Sequence, residues 1–470
     1  MEAGGLTDPA RAVEWWRPAR PALSGVAREN DLAASLPDAG SPVPFWGLMA
    51  FLFILLIAPQ NFFPALAPLR IALLAAALSI GAYLFDRIAN GRRAGRRTPE
   101  IWFGVGILAW AVLTVPLSYW PGGSVALLQE KYVKTLAVFW LITRVVTTRP
   151  RLERVIWGLT LMGVPLAATG LKNYLSGDFM PVGDQVKRIV GYDTGLTQNP
   201  NDLALMLNLI LPFSVALFLR TRRSSLRALL LATTLLYVVG VIVTFSRTGF
   251  LTMAVTFLYY AIDLLRRGRW GSLVAALVLS LAAAAMLPSS YLDRIATITD
   301  IEADDTGSAQ IRSHDTMASV RIVLANPLVG AGIGMNLLAL NEERGAMWFK
   351  VHNVYLEYAV DLGLPGLVLF LLLLGACLKD ARFVQRQIAQ RGSGDGLFQL
   401  AQGVEAALLA FMLAAAFHPV AYDFFFYLIA GIAVSIRTVY ELEEGERAPE
   451  PHGAADGPEP WFFPAGSRAS

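Results

Sequence analysis

Charge is what this sequence has least of. Asp, Glu, Lys and Arg make up 16% of its 470 residues, against roughly 25% in soluble domains. A water-soluble fold of this length needs more polar skin, so a soluble enzyme is excluded, and most nucleic-acid binders with it. Cysteine is nearly absent as well. The single Cys377 permits no intrachain disulfide and no CxxC metal or redox site. It lies in an apolar run and reads as a small buried hydrophobe. The start lacks the pattern of a signal peptide. Residues 1–43 carry Glu2, Asp8, Glu14, Arg17 and several prolines, and no apolar core precedes Phe45. No repeat of solenoid period is visible, and the two halves show no convincing inverted repeat.

What is there is apolar. Hydrophobic residues make up 55% of the chain, and mean hydropathy is +0.51. A bilayer core of about 30 Å takes about 20 apolar residues in helix. Twelve segments qualify, near 44–60, 67–86, 101–120, 129–147, 153–174, 202–220, 226–245, 247–265, 270–289, 352–378, 400–418 and 420–440. The fourth is the weakest, being interrupted by Lys131, Lys134 and Arg144. Seven and eight meet near Thr244–Thr248 with almost no loop, which predicts a tight helical hairpin.

The placement of charge tests this count independently. Links after even-numbered spans hold 19 basic residues, among them Arg92, Arg93, Arg149, Arg220, Arg266 and Arg386. Three of the six links on the other side hold none. The alternation survives only if the fourth span is real. The expectation is an all-α membrane protein with both termini cytoplasmic. It divides into a cytosolic tail over 1–43, a polytopic domain over 44–440, and an acidic, Pro/Gly-rich, disordered tail over 441–470. Only two outer links are long, 175–201 and 290–351, and long links carry function.

Basic residues on the outer face are exceptions to the charge rule and need a reason. A cation there can grip an anionic ligand at that surface, and lipid-linked pyrophosphate sugars are such ligands. Lys187 and Arg188 precede Asn199-Pro200-Asn201, where either asparagine can cap the next helix and turn its free N–H groups outward. The alternative is an ordinary capped helix behind a solvated basic pair. Arg247 stands in Ser246-Arg247-Thr248-Gly249, with no acidic residue nearby in sequence. An arginine at hydrocarbon depth marks a site or else snorkels to headgroups. Arg312 and Arg321 flank an apolar stripe of Met317, Val320, Val323 and Leu324, which predicts an amphipathic helix over 308–325 on the outer surface. Gly330, Gly332 and Gly334 follow Asn326-Pro327. They do not form GxGxxG and follow no strand, so they let the backbone turn tightly.

His352 opens span ten at the outer face. A helix N-terminus disfavours imidazolium, so His352 is expected neutral and able to take a proton. The alternative is a capping or interfacial histidine. Asn353 can orient it or bind sugar. His418 and Asp423 read as structural. Glu302, Asp304 and Asp305 read as a solvated acidic run rather than a cation site.

These segments together resemble the O-antigen ligase and polymerase superfamily. The residues that carry the resemblance are Arg188-x-x-Gly191, Asn199-Pro200-Asn201, Ser246-Arg247-x-Gly249, Arg312, Asn326-Pro327-x-x-Gly330-x-Gly332 and His352-Asn353-x-x-Leu356. It covers about 40–440, and its specificity lies in the order and spacing of motifs that are weak singly. The resemblance implies a GT-C-like bacterial inner-membrane glycosyltransferase with a large periplasmic loop at 290–351. It implies transfer of glycan from an undecaprenyl-pyrophosphate carrier to an acceptor hydroxyl on a glycolipid or glycan, in lipopolysaccharide or polysaccharide biosynthesis, with inversion and without metal or cofactor. His352 takes the catalytic role and Arg247, Arg312 and Arg188 the pyrophosphate, with Asn353, Arg321, Asn199 and Asn201 in support. Polymerases and protein O-oligosaccharyltransferases share this donor chemistry. A secondary transporter is the rival of another class, favoured by Lys131, Lys134 and Lys172. The long N-terminal tail and His314 beside Arg312 depart from the family pattern.

Overall fold

The computed structural model describes residues 40–91, 98–180, 188–271, 274, 308–345, 350–392 and 395–447. The side chains of 308–312, 446 and 447 also lie outside the description. All contacts below fall within one compact unit, Gly40–Gly445. Its principal helices are α1 (Val43–Ile57), α2 (Ile71–Ala89), α3 (Pro99–Thr114), α4 (Val133–Val145), α5 (Arg149–Ser176), α6 (Pro200–Arg220), α7 (Ser224–Val243), α8 (Arg247–Arg266), α9 (Ser308–Ala325), α10 (Asn336–Arg344), α11 (Val354–Gln390), α12 (Gly396–Ala414) and α13 (Phe424–Arg447). One short hairpin, β1 (Phe179–Met180) with β2 (Arg188–Ile189), joins α5 to α6.

The helix starts are written locally. Proline fills the first turn of α1, α3, α5 and α6, where its missing N–H costs nothing. Side-chain oxygens of Asn199, Ser246, Asn353 and Asp395 accept from the first-turn N–H groups of α6, α8, α11 and α12. Gly177 ends α5 at φ +73°.

Among the described residues, nine helices are long and apolar enough to cross a membrane. The chain is thus an all-α, multi-pass membrane protein. The other three expected spans fall short for three different reasons. α1 has 15 residues, about 22 Å at 1.5 Å per residue. The lysine-interrupted segment is broken into a helix at Pro121–Leu127, a π-turn at Leu128–Tyr132 and the 13-residue α4. Residues 275–289 lie outside the described residues.

Burial ranks the helices. α6, α12 and α13 are 78%, 72% and 83% buried over their apolar windows, and the segment containing α2 only 11%. The first three therefore form the interior. α2 turns Leu73, Leu74, Leu78 and Phe85 outward, as a lipid-facing helix must.

The links segregate to two ends, as the alternation of charge implies. At one end Arg149 pairs with Asp395 and Glu443 at 2.6 and 2.7 Å, Arg220 with Glu153 at 2.5 Å, and Arg151 donates to the carbonyls of Gly40 and Ser41. At the other, Tyr192 donates to the Ile57 carbonyl, Tyr119 N–H to that of Ala331, Ser124 to that of Ile333, and Val354 N–H to that of Ala415. The hydrocarbon between them has no water to pair with loops.

α11 is not the continuous rod its apolar run suggests. It breaks at Gly363, where φ is +67°. The freed carbonyls of Val360, Asp361 and Leu362 accept from Ala331 N–H at 2.7 Å, Gly332 N–H at 2.8 Å and the Trp110 indole at 2.9 Å. Leu364 N–H donates to the Pro327 carbonyl. Backbone from Asn326–Gly334 thus replaces the missing helix bonds. A Cβ at Gly363 would strike the Leu328 carbonyl, and one at Gly330 would meet Gly363 N at 2.6 Å. Gly363→Ala is expected to cost about 2–4 kcal/mol through strain plus overlap. Gly375→Ala on the same helix, where a Cβ meets nothing within 4 Å, is expected to be neutral within roughly 0.5 kcal/mol. Thermal unfolding in detergent checks both.

Candidate functional site

The end opposite the basic links gathers the expected site segments. α5 delivers the β-hairpin. Asn173 donates to the Val190 carbonyl at 2.8 Å, and the Tyr174 ring lies 6.2 Å from Phe179 and 6.0 Å from Phe245. Arg188 on β2 and Arg247 at the start of α8 are therefore carried by elements that meet around Tyr174. Both are half-buried. The turn before Arg247 has only three residues, and Phe245 takes φ +53° within it. This is the tight hairpin the sequence implies. Gly249 lies against Ala204, and its carbonyl accepts from Asn208 at 3.0 Å, so the Arg247 turn is fixed to α6.

Asn199 caps α6 through a 2.8 Å bond from Asn201 N–H. His418 then joins this start to α12. Its ring nitrogens lie 3.0 Å from the Ala414 carbonyl oxygen and 3.3 Å from that of Asn201. His418 is buried and structural, as its sequence position suggests. Asp423 pairs with Lys131 at 2.5 Å, so this lysine serves the same end of the bundle. Nearby, burial first and the Asp193 charge second raise the Tyr192 phenol above its ordinary value. It stays protonated and donates to Ile57.

His352 is half-buried, two residues before α11. Asn353 is the cap, accepting from Leu356 N–H at 3.1 Å. The His352 segment is pinned on both sides. Downstream, Val354 N–H donates to Ala415. Upstream, Val351 N–H donates to the Asn336 side-chain oxygen at 3.3 Å. Asn336 is in turn held by Asp361, whose carboxyl accepts from Asn336 N–H at 2.6 Å, Asn336 Nδ2 at 3.1 Å, Gly334 N–H at 2.9 Å and Tyr422 Oη at 3.0 Å.

Asp361 and Glu357 are the functional-end residues that sequence reasoning missed. Both are buried, and Glu357 accepts from Ala421 N–H at 3.0 Å. The available signal was their presence, one helical turn apart, in an apolar span.

α9 forms where expected, and of the four residues of its apolar stripe Val323 packs against the protein. Met317, Val320 and Leu324 are exposed at 61%, 41% and 75%. Ala318 and Ile322 pack inward against α10 and α11, beside a buried Asp315–Arg344 pair. Ala318 and the buried carboxylate let α9 approach closely, and Ile322 fills the contact. Arg321 is committed to Glu343 at 2.6 Å on the surface. The Arg312 side chain lies outside the described residues, so its relation to Arg247 and His352 stands as an expectation. So do Lys187, Glu302, Asp304 and Asp305, which also fall outside.

Residues 232–371 match the family model described as O-antigen ligase. The matched stretch contains Arg247, Arg312, Arg321, His352 and Asn353, and the Gly330–Asp361 clasp as well. Residues 33–198, with Arg188, match a family of unknown function. No curated protein matches the chain.

Removing the Asp361 carboxyl leaves several buried donors unmet, at about 1–3 kcal/mol each. Asp361→Ala is expected to lower the unfolding midpoint more than Asp361→Asn does, and to speed amide exchange at Val351 and His352. Unchanged exchange there, in a folded variant, would show that Asp361 does not hold the histidine segment.

Proposed function

We propose that this protein is a membrane glycosyltransferase of the O-antigen ligase type. It moves a glycan from an undecaprenyl-pyrophosphate carrier to an acceptor hydroxyl at the periplasmic face of the bacterial inner membrane. The observation that carries this reading is the ligase-family match over 232–371. It encloses Arg247, which begins α8, and His352, two residues ahead of α11. The charge rule assigns both to the periplasmic side.

In this mechanism the pyrophosphate departs from the anomeric carbon as charge builds on its bridging oxygen. Guanidinium forks held in place meet that charge without reorganising. Arg247 and Arg312 do this work, with Arg188 in support. His352 accepts the proton of the attacking hydroxyl, and attack from the face opposite the leaving group inverts the anomeric centre. No step requires a metal.

Polymerase and protein O-glycosylation differ only in the acceptor. A deletion that leaves lipid A bare while long lipid-linked polymer accumulates identifies a ligase, and one that leaves single repeats identifies a polymerase. The transporter reading draws less support. Lys131 is ion-paired at one end, and Lys134 and Lys172 are exposed, so none is a buried ionisable group at mid-bundle.

In a null strain at equal protein level, His352→Ala is expected to lose about 10²–10⁴ in transfer rate, and Arg247→Ala about 10²–10³. Arg247→Lys is also impaired, because lysine loses the planar fork. Wild-type glycan transfer by both alanine variants overturns the assignment. In a Cys377→Ser background, an impermeant maleimide is expected to label Gln198→Cys in spheroplasts, and Ser225→Cys only after lysis. The reverse pattern places the site in the cytosol.

A further inference from the structure

A cavity lies at the opposite, charged end. α6 and α7 pack against each other there, and α8 and α12 complete the wall. The space is about 410 Å³, within the usual range for small-ligand sites. Its walls are apolar, formed by Val215, Phe218, Leu231 and Leu264. Gln399 and Gln402 line it as well. Gln402 is 3% exposed, and the Gln399 side-chain oxygen is buried without a hydrogen-bond partner.

The remaining charged lining is one-sided. Arg227, Arg267 and Arg269 stand against a single carboxylate, Asp263, which pairs with Arg267 at 2.8 Å. Two guanidiniums are also braced by rings, Arg227 over Phe218 at 4.6 Å and Arg267 over Phe398 at 4.8 Å. Stacking of this kind fixes the planar fork before a ligand arrives. Trp270, next in sequence to Arg269, is 64% exposed, as an interfacial anchor is.

We propose that this cavity is a binding site for one anionic phospholipid of the cytoplasmic leaflet. The phosphodiester sits between Arg227 and Arg269, the Gln399 oxygen accepts from a headgroup hydroxyl, and the acyl chains run along the apolar wall. The occupant follows from the lining. A small soluble anion would leave the apolar wall in contact with water. A zwitterionic lipid would bring a second cation to a mouth that already has an excess of two. Basic recesses between helices on the cytoplasmic side suit anionic headgroups. The site shares no residue with the glycosyl-transfer end and stands whether or not that reading does.

The test is native mass spectrometry of the delipidated full chain titrated with phosphatidylglycerol, phosphatidylcholine, or glycerol 3-phosphate. Wild type is expected to retain phosphatidylglycerol selectively and to ignore glycerol 3-phosphate. Arg227→Gln with Arg269→Gln should weaken it at least tenfold, since both charge-assisted hydrogen bonds to the phosphodiester are lost. Leu231→Trp keeps every charge and fills the wall, and should weaken it comparably. Neither change touches an ion pair given for this end. Undiminished lipid binding by the double variant overturns the proposal. Loss in the arginine variant with full retention by Leu231→Trp also overturns it, as diffuse charge attraction. Equal binding of glycerol 3-phosphate overturns it in favour of a soluble phosphate ester.

Discussion

A helix broken among lipid-facing helices must find new partners for the peptide groups it frees, because hydrocarbon offers none. Much of the functional end follows from how α11 meets that demand at Gly363. The carbonyls of Val360, Asp361 and Leu362 are taken by Ala331, Gly332 and Trp110. The loop after Asn326-Pro327 is thereby drawn against α11. That approach leaves no room for a Cβ at Gly330 or Gly363, while Gly332 and Gly334 are crowded instead by Ser118 and Leu127. Asp361 uses the same break from the other side. Its carboxyl collects Gly334, Asn336 and Tyr422, and through Asn336 it reaches the residue before His352.

The two ends of the bundle carry different chemistry for the same electrostatic reason. One holds arginines already matched by Asp395, Glu443 and Glu153, together with the arginine-rimmed cavity between α6, α7, α8 and α12. The other holds fewer cations, and among them Arg321 and Arg344 are matched by Glu343 and Asp315. Arg188 and Arg247 ride on the β-hairpin and the α8 turn that meet around Tyr174. His352 sits at the start of α11, tied through Val354 to the end of α12. The glycosyltransferase reading draws on this convergence at one end.

The candidate residues differed in how well sequence exposed them. Asn199 as a cap, the Arg247 hairpin and the turning glycines were legible, because each is a local device set by neighbours within a few positions. Asn353 was weighed for a sugar or for His352 and proved to be the helix cap. Asp361 and Glu357 went unnoticed because their partners, Asn336, Tyr422 and Ala421, lie 25 to 64 residues away. The stripe on α9 was read correctly as apolar. Its direction was not legible, since only the packing of Ala318 and Ile322 on α10 and α11 decides which face turns in.

The sequence alone determined that this chain crosses a membrane many times, where most helices begin, and which links share an end. Each of these rests on local composition and on the cost of moving charge through lipid. Only the tertiary structure decided that α6, α12 and α13 form the interior, that α11 breaks at Gly363, and that Asp361 clasps the glycine loop beside His352. Those outcomes depend on which distant backbone groups come close enough to satisfy one another, and no local pattern specifies that.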